Sequence, residues 1–127
     1  MASKTWAVEP YEIVTNSGVS EKNLSKSSLR AIFGMRLHTW PDGNPIHVFV
    51  LPDDAPLHIA FSKEKLNIFP YQLRAAWDRL VFSGTGQAPE TVASLEEMLA
   101  KVGSTPGAIG YLTRSRMNGS VNVLHVK

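Results

Sequence analysis

The sequence contains no cysteine. Disulfides, a thiol nucleophile and thiolate zinc sites are therefore excluded. Charge is sparse as well: 19% of residues are Asp, Glu, Lys or Arg, and 13 Lys+Arg against 11 Asp+Glu leave a formal +2. So little charge excludes a disordered acidic or basic tail. The pI near 9.0 reflects a small cationic surplus, not the basic stripe of a nucleic-acid binder. No apolar run approaches the roughly 18 residues of a membrane span. Neither nucleic-acid binding nor membrane insertion is expected. Met1-Ala2-Ser3-Lys4 lacks the apolar stretch of an export leader. Two addresses follow: an exported protein whose leader has been removed, or a cytoplasmic one if Met1 is the natural start.

What is present is the composition of one globular domain over residues 1–127, with 43% hydrophobic residues. Glu12-Ile13-Val14-Thr15 reads as a strand ending at the turn Asn16-Ser17-Gly18. Ser25 is a candidate N-cap. Leu29, Ile32 and Phe33 then share one helix face, which stops near Gly34. After the turn Pro41-Asp42-Gly43-Asn44, the run from Ile46 to Leu51 is a buried strand, ended by Pro52. A short helix is expected from about Asp54.

The clearest helix covers 71–82, with Leu73, Ala76, Trp77, Leu80 and Val81 on its inner face. Ser83-Gly84-Thr85-Gly86 ends it. Ser94-x-x-Glu97 is a capping box for a further helix, with Gly103 as its expected stop. Two strands close the chain, over 108–112 and 121–126, with Asn118-Gly119 as the turn before the second. The order β-α-β-α-α-α-β-β implies an α/β sheet with helices on its faces.

Three segments in this order carry a resemblance. They are Leu24-Ser25-x-x-x-Leu29-x-x-Ile32-Phe33-Gly34, Trp40-x-Asp42-Gly43-x-Pro45-Ile46, and Thr105-Pro106-Gly107-Ala108-Ile109-Gly110-Tyr111. Together the set resembles the phosphate-binding-protein family of periplasmic solute receptors. The resemblance implies one lobe of a type II periplasmic-binding-protein-like fold, with a central mixed or parallel sheet flanked by helices. It further implies the periplasm as location, a small anion or other small solute as ligand, and a membrane transporter or sensor as partner. A homodimer could supply the wall that a lone lobe lacks.

The family's anion loop, Arg-Ser-Asp-Gly-Ser-Gly-Thr, corresponds here to Leu51-Pro52-Asp53-Asp54-Ala55-Pro56-Leu57. Only Asp53 matches. The cation, the hydroxyls and one backbone donor are gone, and Asp54 adds negative charge where an anion would sit. Phosphate binding of the family's kind is not expected. The alternative reading is an interaction or sensory module that partners a membrane receptor or transporter without tight ligand binding.

The candidate ligand residues are Asn16 and Ser17 at a strand end, Asp53 and Asp54 before a helix, and Ser83, Gly84 and Thr85 in a glycine-rich loop. Each has an ordinary reading beside it. Asn16 and Ser17 belong to a turn, Asp before a helix commonly caps it, and a glycine-rich loop commonly ends one. The four histidines, His38, His47, His58 and His125, match no metal-ligand spacing and read as structural or surface residues. Trp77 reads as core and Trp40 as structural. No Gly-x-Ser-x-Gly elbow or P-loop lysine is present. Neither catalysis nor a cofactor or metal is expected.

Overall fold

The computed structural model describes residues 9–127. Six strands form one mixed sheet: β1 (Tyr11–Asn16), β2 (Asn23–Leu24), β3 (His47–Val50), β4 (Glu90–Thr91), β5 (Ala108–Thr113) and β6 (Val121–Val126). Their order across the sheet is β2-β6-β1-β5-β3-β4. β5 runs parallel to β3 and antiparallel to β1, pairing Val48 with Ile109 and Val14 with Gly110. Four helices flank the sheet: α1 (Lys26–Phe33), α2 (Pro56–Phe61), α3 (Pro70–Ser83) and α4 (Leu95–Ser104).

The central strand shows why the helices sit as they do. All of β5 is buried, and its successive side chains face opposite sides of the sheet. Gly110 faces α4. A Cβ there would lie 2.6 Å from Met98 Sδ and 3.1 Å from Val102 Cγ2, so the missing side chain lets α4 seat on the sheet. Tyr111 faces the other way. Its ring stacks on Phe61 of α2 at 4.2 Å between centroids, and Phe61 meets Phe33 of α1 edge-on at 4.8 Å. Burying Phe33 and Phe61 contributes about 2 kcal/mol each. Trp77 of α3 closes this layer and donates from Nε1 to the Phe33 carbonyl at 2.9 Å.

The expected ends hold at several points. Ser25 caps α1, its Oγ accepting from Ser28 N at 3.1 Å. Ser94 caps α4 by accepting from Glu97 N, and the Glu97 carboxylate reaches back to Ala93 N.

Other expectations need correction. α2 starts at Pro56, and its N-cap is Ala55, which has no side chain to bond the helix; neither Asp53 nor Asp54 caps it. α4 runs through Gly103 to Ser104. Gly103 is there for contact, since a Cβ would fall 2.5 Å from Ser120 Oγ. Val81 is half exposed rather than on the inner face of α3. α2 also continues into a π-helical turn over Ser62–Leu66, ended by Asn67 in the left-handed region at φ 56. Apolar periodicity carries no mark of that turn, nor of the two-residue strands β2 and β4 at the sheet borders.

Candidate functional site

The pairing fixes which residues share an end of the sheet. β3 and β5 are parallel, so Leu51, Asp53 and Asp54 lie at the Thr113 end of β5. β1 is antiparallel to β5, which puts Tyr11 at that end and Asn16 at the opposite one. Ligands of open α/β sheets sit outside the carboxyl ends of parallel strands. Of the predicted ligand residues, only Asp53 and Asp54 meet that condition.

This corner is built from charge and from buried polar groups. Arg74, in the second turn of α3, grips Asp53 with two parallel bonds, Nε to Oδ2 at 2.9 Å and Nη2 to Oδ1 at 3.0 Å. Its guanidinium lies 5.0 Å from the Trp77 ring centroid, which holds it in place by a cation–π contact. The hydrogen bonds from Arg74 keep the Asp53 carboxyl below the usual carboxylate range, against the opposing effect of burial. Side-chain exposures of 37% and 38% leave the pair accessible to water.

Beneath the pair, Leu51 N donates to Tyr111 Oη at 2.9 Å. The phenol also lies 2.5 Å from His58 Nδ1, and its hydrogen has no other acceptor among the described residues, which assigns Tyr111 as the donor. The imidazole is then neutral, its proton on Nε2. Among the described residues Nε2 is buried without a partner, and so is the hydroxyl of Ser62 one helical turn later. Burial pushes His58 below the ordinary histidine value; Arg74 adds to this, while Asp53 opposes it. Burial also drives the Tyr111 phenol well above its usual range.

The remaining predicted residues lie elsewhere and are engaged locally. Asn16 donates from Nδ2 to the carbonyls of Val102 and Gly103 at 3.0 and 3.1 Å, and its Oδ1 accepts from Gly18 N at 2.9 Å. Ser17 is tied through its backbone, its N–H donating to the Ser120 carbonyl and its carbonyl accepting from Asn122 Nδ2. Trp40 beside them donates from Nε1 to the Gly107 carbonyl at 3.0 Å. Asn16 and Ser17 thus sit at the turn that ends β1, with Asn16 also tying that turn to the end of α4.

Ser83, Gly84 and Thr85 close the far end of α3, about 14 Å along the helix from Arg74. Gly84 takes the left-handed conformation at φ 72. Thr85 N and Gly86 N both donate to the Leu80 carbonyl, so the amides that could have cradled an anion are spent on the helix end. The Ser83 and Thr85 hydroxyls bond each other at 2.7 Å. Among the described residues, no group of three His, Asp or Glu side chains is placed to hold a metal ion.

Sequence reasoning missed Arg74 and the His58–Tyr111 pair as members of the corner. Arg74 stands 21 positions from Asp53, across α2 and the π-helical turn, and no local spacing marks such a pairing. Tyr111 did carry a signal, as the last residue of the Thr-Pro-Gly-Ala-Ile-Gly-Tyr segment.

Solved structures share this architecture. An ABC-type phosphate transport receptor from Vibrio cholerae superimposes with a TM-score of 0.73 at 16% identity, over 96% of this chain and 48% of that one. A Clostridium perfringens structure with bound phosphate, described as a phosphate ABC transporter substrate-binding protein, gives 0.74 at 19% identity, over 93% and 45%. PstS from Borrelia burgdorferi gives 0.69 at 15% identity, over 94% and 47%. The chain thus spans about half the length of these proteins. Its fold is that of one lobe of a phosphate-receptor-like structure, as the sequence resemblance implied. No family model and no curated protein sequence matches the chain.

Proposed function

We propose that the chain is a non-enzymatic, solute-receptor-like lobe, related to periplasmic receptors of phosphate transporters, whose phosphate loop has been lost. The supporting observation is the fate of Asp53. Its carboxylate is neutralised within the chain by Arg74, and it is flanked by Pro52, Asp54, Ala55 and Pro56 rather than by hydroxyls and free amides. An incoming phosphate would meet carboxylates first, and the nearby cation is already bound. On this reading Asp53 and Asp54 face the ligand side, and any solute held there is taken with a second wall, from another copy or from a partner.

Isothermal calorimetry with inorganic phosphate at low salt tests the loss of the loop. No saturable heat is expected at micromolar phosphate. A micromolar Kd, with the thermal stabilisation that such binding confers, would overturn the proposal.

A second reading, a docking module for a membrane transporter or sensor, is favoured by one observation. Phe69, Tyr71 and Phe82 are 48%, 71% and 87% exposed, and such aromatics commonly anchor interfaces. Solute-independent recovery of a transporter or sensor component with the lobe from solubilised membranes, lost on Tyr71→Ala and Phe82→Ala, would support that reading over the first.

A further inference from the structure

We infer that His58 is a proton-operated latch that ties α2 and the following π-helical turn to β5, and that releases them when the imidazole takes a proton from solvent. The inference stands on the corner's geometry and holds whether or not the lobe binds a solute.

In the closed state every proton has a set place. Leu51 N–H points to Tyr111 Oη, Tyr111 O–H to His58 Nδ1, and the His58 proton sits on the partnerless Nε2. Proton uptake forms an N–H bond at Nδ1, so Nδ1 changes from acceptor to donor. Tyr111 Oη then faces two donors, Leu51 N–H and His58 Nδ1–H, and its own hydrogen has no other acceptor among the described contacts. One orphaned donor becomes two, and each carries the penalty of a buried group left without a partner.

The charged groups around the ring do not remove this conflict. Two charged side chains act on His58, Asp53 from the turn after β3 and Arg74 from α3. Asp53 would welcome the new cation, but its two oxygens are already occupied by the guanidinium. Arg74, with Asp78 one turn along the same helix acting on it, opposes a second positive charge. Tyr111 and the Trp77 ring, at 6.0 and 6.5 Å between centroids, complete the surroundings.

The element carrying His58 is the one best able to yield. α2 is six residues long, has no side-chain cap and begins with proline. The segment after it has π-type bonding, a rare pattern that seldom extends beyond a single turn. Moving 56–66 outward hydrates the imidazolium and frees Tyr111, at the expense of the Phe61–Tyr111 stack.

Amide hydrogen exchange of the whole chain across pH 7.5 to 5 tests the latch, read as protection factors so that intrinsic chemistry is removed. Protection of the amides in 57–66 is expected to fall by up to about tenfold per pH unit below the ordinary His value, the limit for one proton taken up. The amides of β1 and β5 should stay constant. His58→Gln keeps an acceptor for Tyr111 without titrating, and should flatten the response. An unchanged acid response in His58→Gln, or uniform loss of protection across the sheet, would overturn the latch. Should that variant not fold, imidazole nitrogen shifts of the unmodified protein decide. The expected species at pH 7.5 is the Nε2–H tautomer. A proton on Nδ1, or an imidazole still neutral while 57–66 opens, would overturn the inference.

Discussion

At one end of the sheet, Asn16, Trp40, Gly103 and Gly107 join turn to helix and strand through uncharged donors on backbone carbonyls. At the other end, the same task of fixing a helix beyond a strand falls to the charged pair Asp53 and Arg74 and to the titratable side chains His58 and Tyr111. Amide and indole donors do not change state between pH 4 and 9, whereas carboxylate and imidazole groups do. The first end is a fixed joint, and the second a joint whose strength depends on protons. The titratable joint lies beyond the carboxyl end of β3, the end of parallel strands outside which open α/β sheets commonly take ligands.

The sharpest way to break the fixed joint is steric. Gly107 has φ +80, and an added Cβ would lie 2.2 Å from the Pro45 carbonyl oxygen. Gly107→Ala should cost about 3 kcal/mol through strain and overpacking, read from urea denaturation, with no added pH dependence.

Next in size is the titratable joint. Tyr111→Phe strips the partner from both Leu51 N–H and His58 Nδ1 and should cost about 2 kcal/mol. Because the His58 value is depressed in the fold, its neutral form contributes stability that is complete above the unfolded value of about 6.5 and declines as pH falls below it. His58→Gln should therefore lose less stability than the unmodified protein between pH 6.5 and 5. Equal losses would erase the contrast between the two ends.

Asn16→Ala should cost about 1–2 kcal/mol by freeing the Val102 and Gly103 carbonyls. The smallest effect belongs to Arg74→Gln. An ion pair this exposed contributes about 0.5 kcal/mol, and less in high salt. The depressed Asp53 value makes that contribution present above about pH 4 and lost as pH falls further. A salt-independent loss of several kcal/mol would show that the pair is no surface bridge.

Much of the fold was legible because it rests on short-range rules. Ser25 and Ser94 announce caps, the apolar run at 46–51 announces β3, and Trp77 with Leu73 announces the inner face of α3. Gly103 misled because a glycine near a helix end looks like a stop, while here it admits Ser120. β2 and β4 escaped because two residues cannot show alternation. The corner was half legible. Asp53 and the departures at 51–57 from the family's loop stand out in the resemblance, but Arg74 and His58 reach their partners only through tertiary packing, which no periodicity encodes. The capping role expected of Asp53 and Asp54 failed because Arg74 holds Asp53 and Pro56 begins α2 directly after Ala55.

The sheet's outermost strands have a consequence for association. β2 and β4 present two residues each, and Lys22, Glu90 and Lys101 stand at or beside these borders, the last two as an ion pair at 3.5 Å. Among the described residues, β2 and β4 themselves offer a foreign strand only short backbone templates. Sideways growth into ribbons or fibrils through β2 and β4 is thereby discouraged.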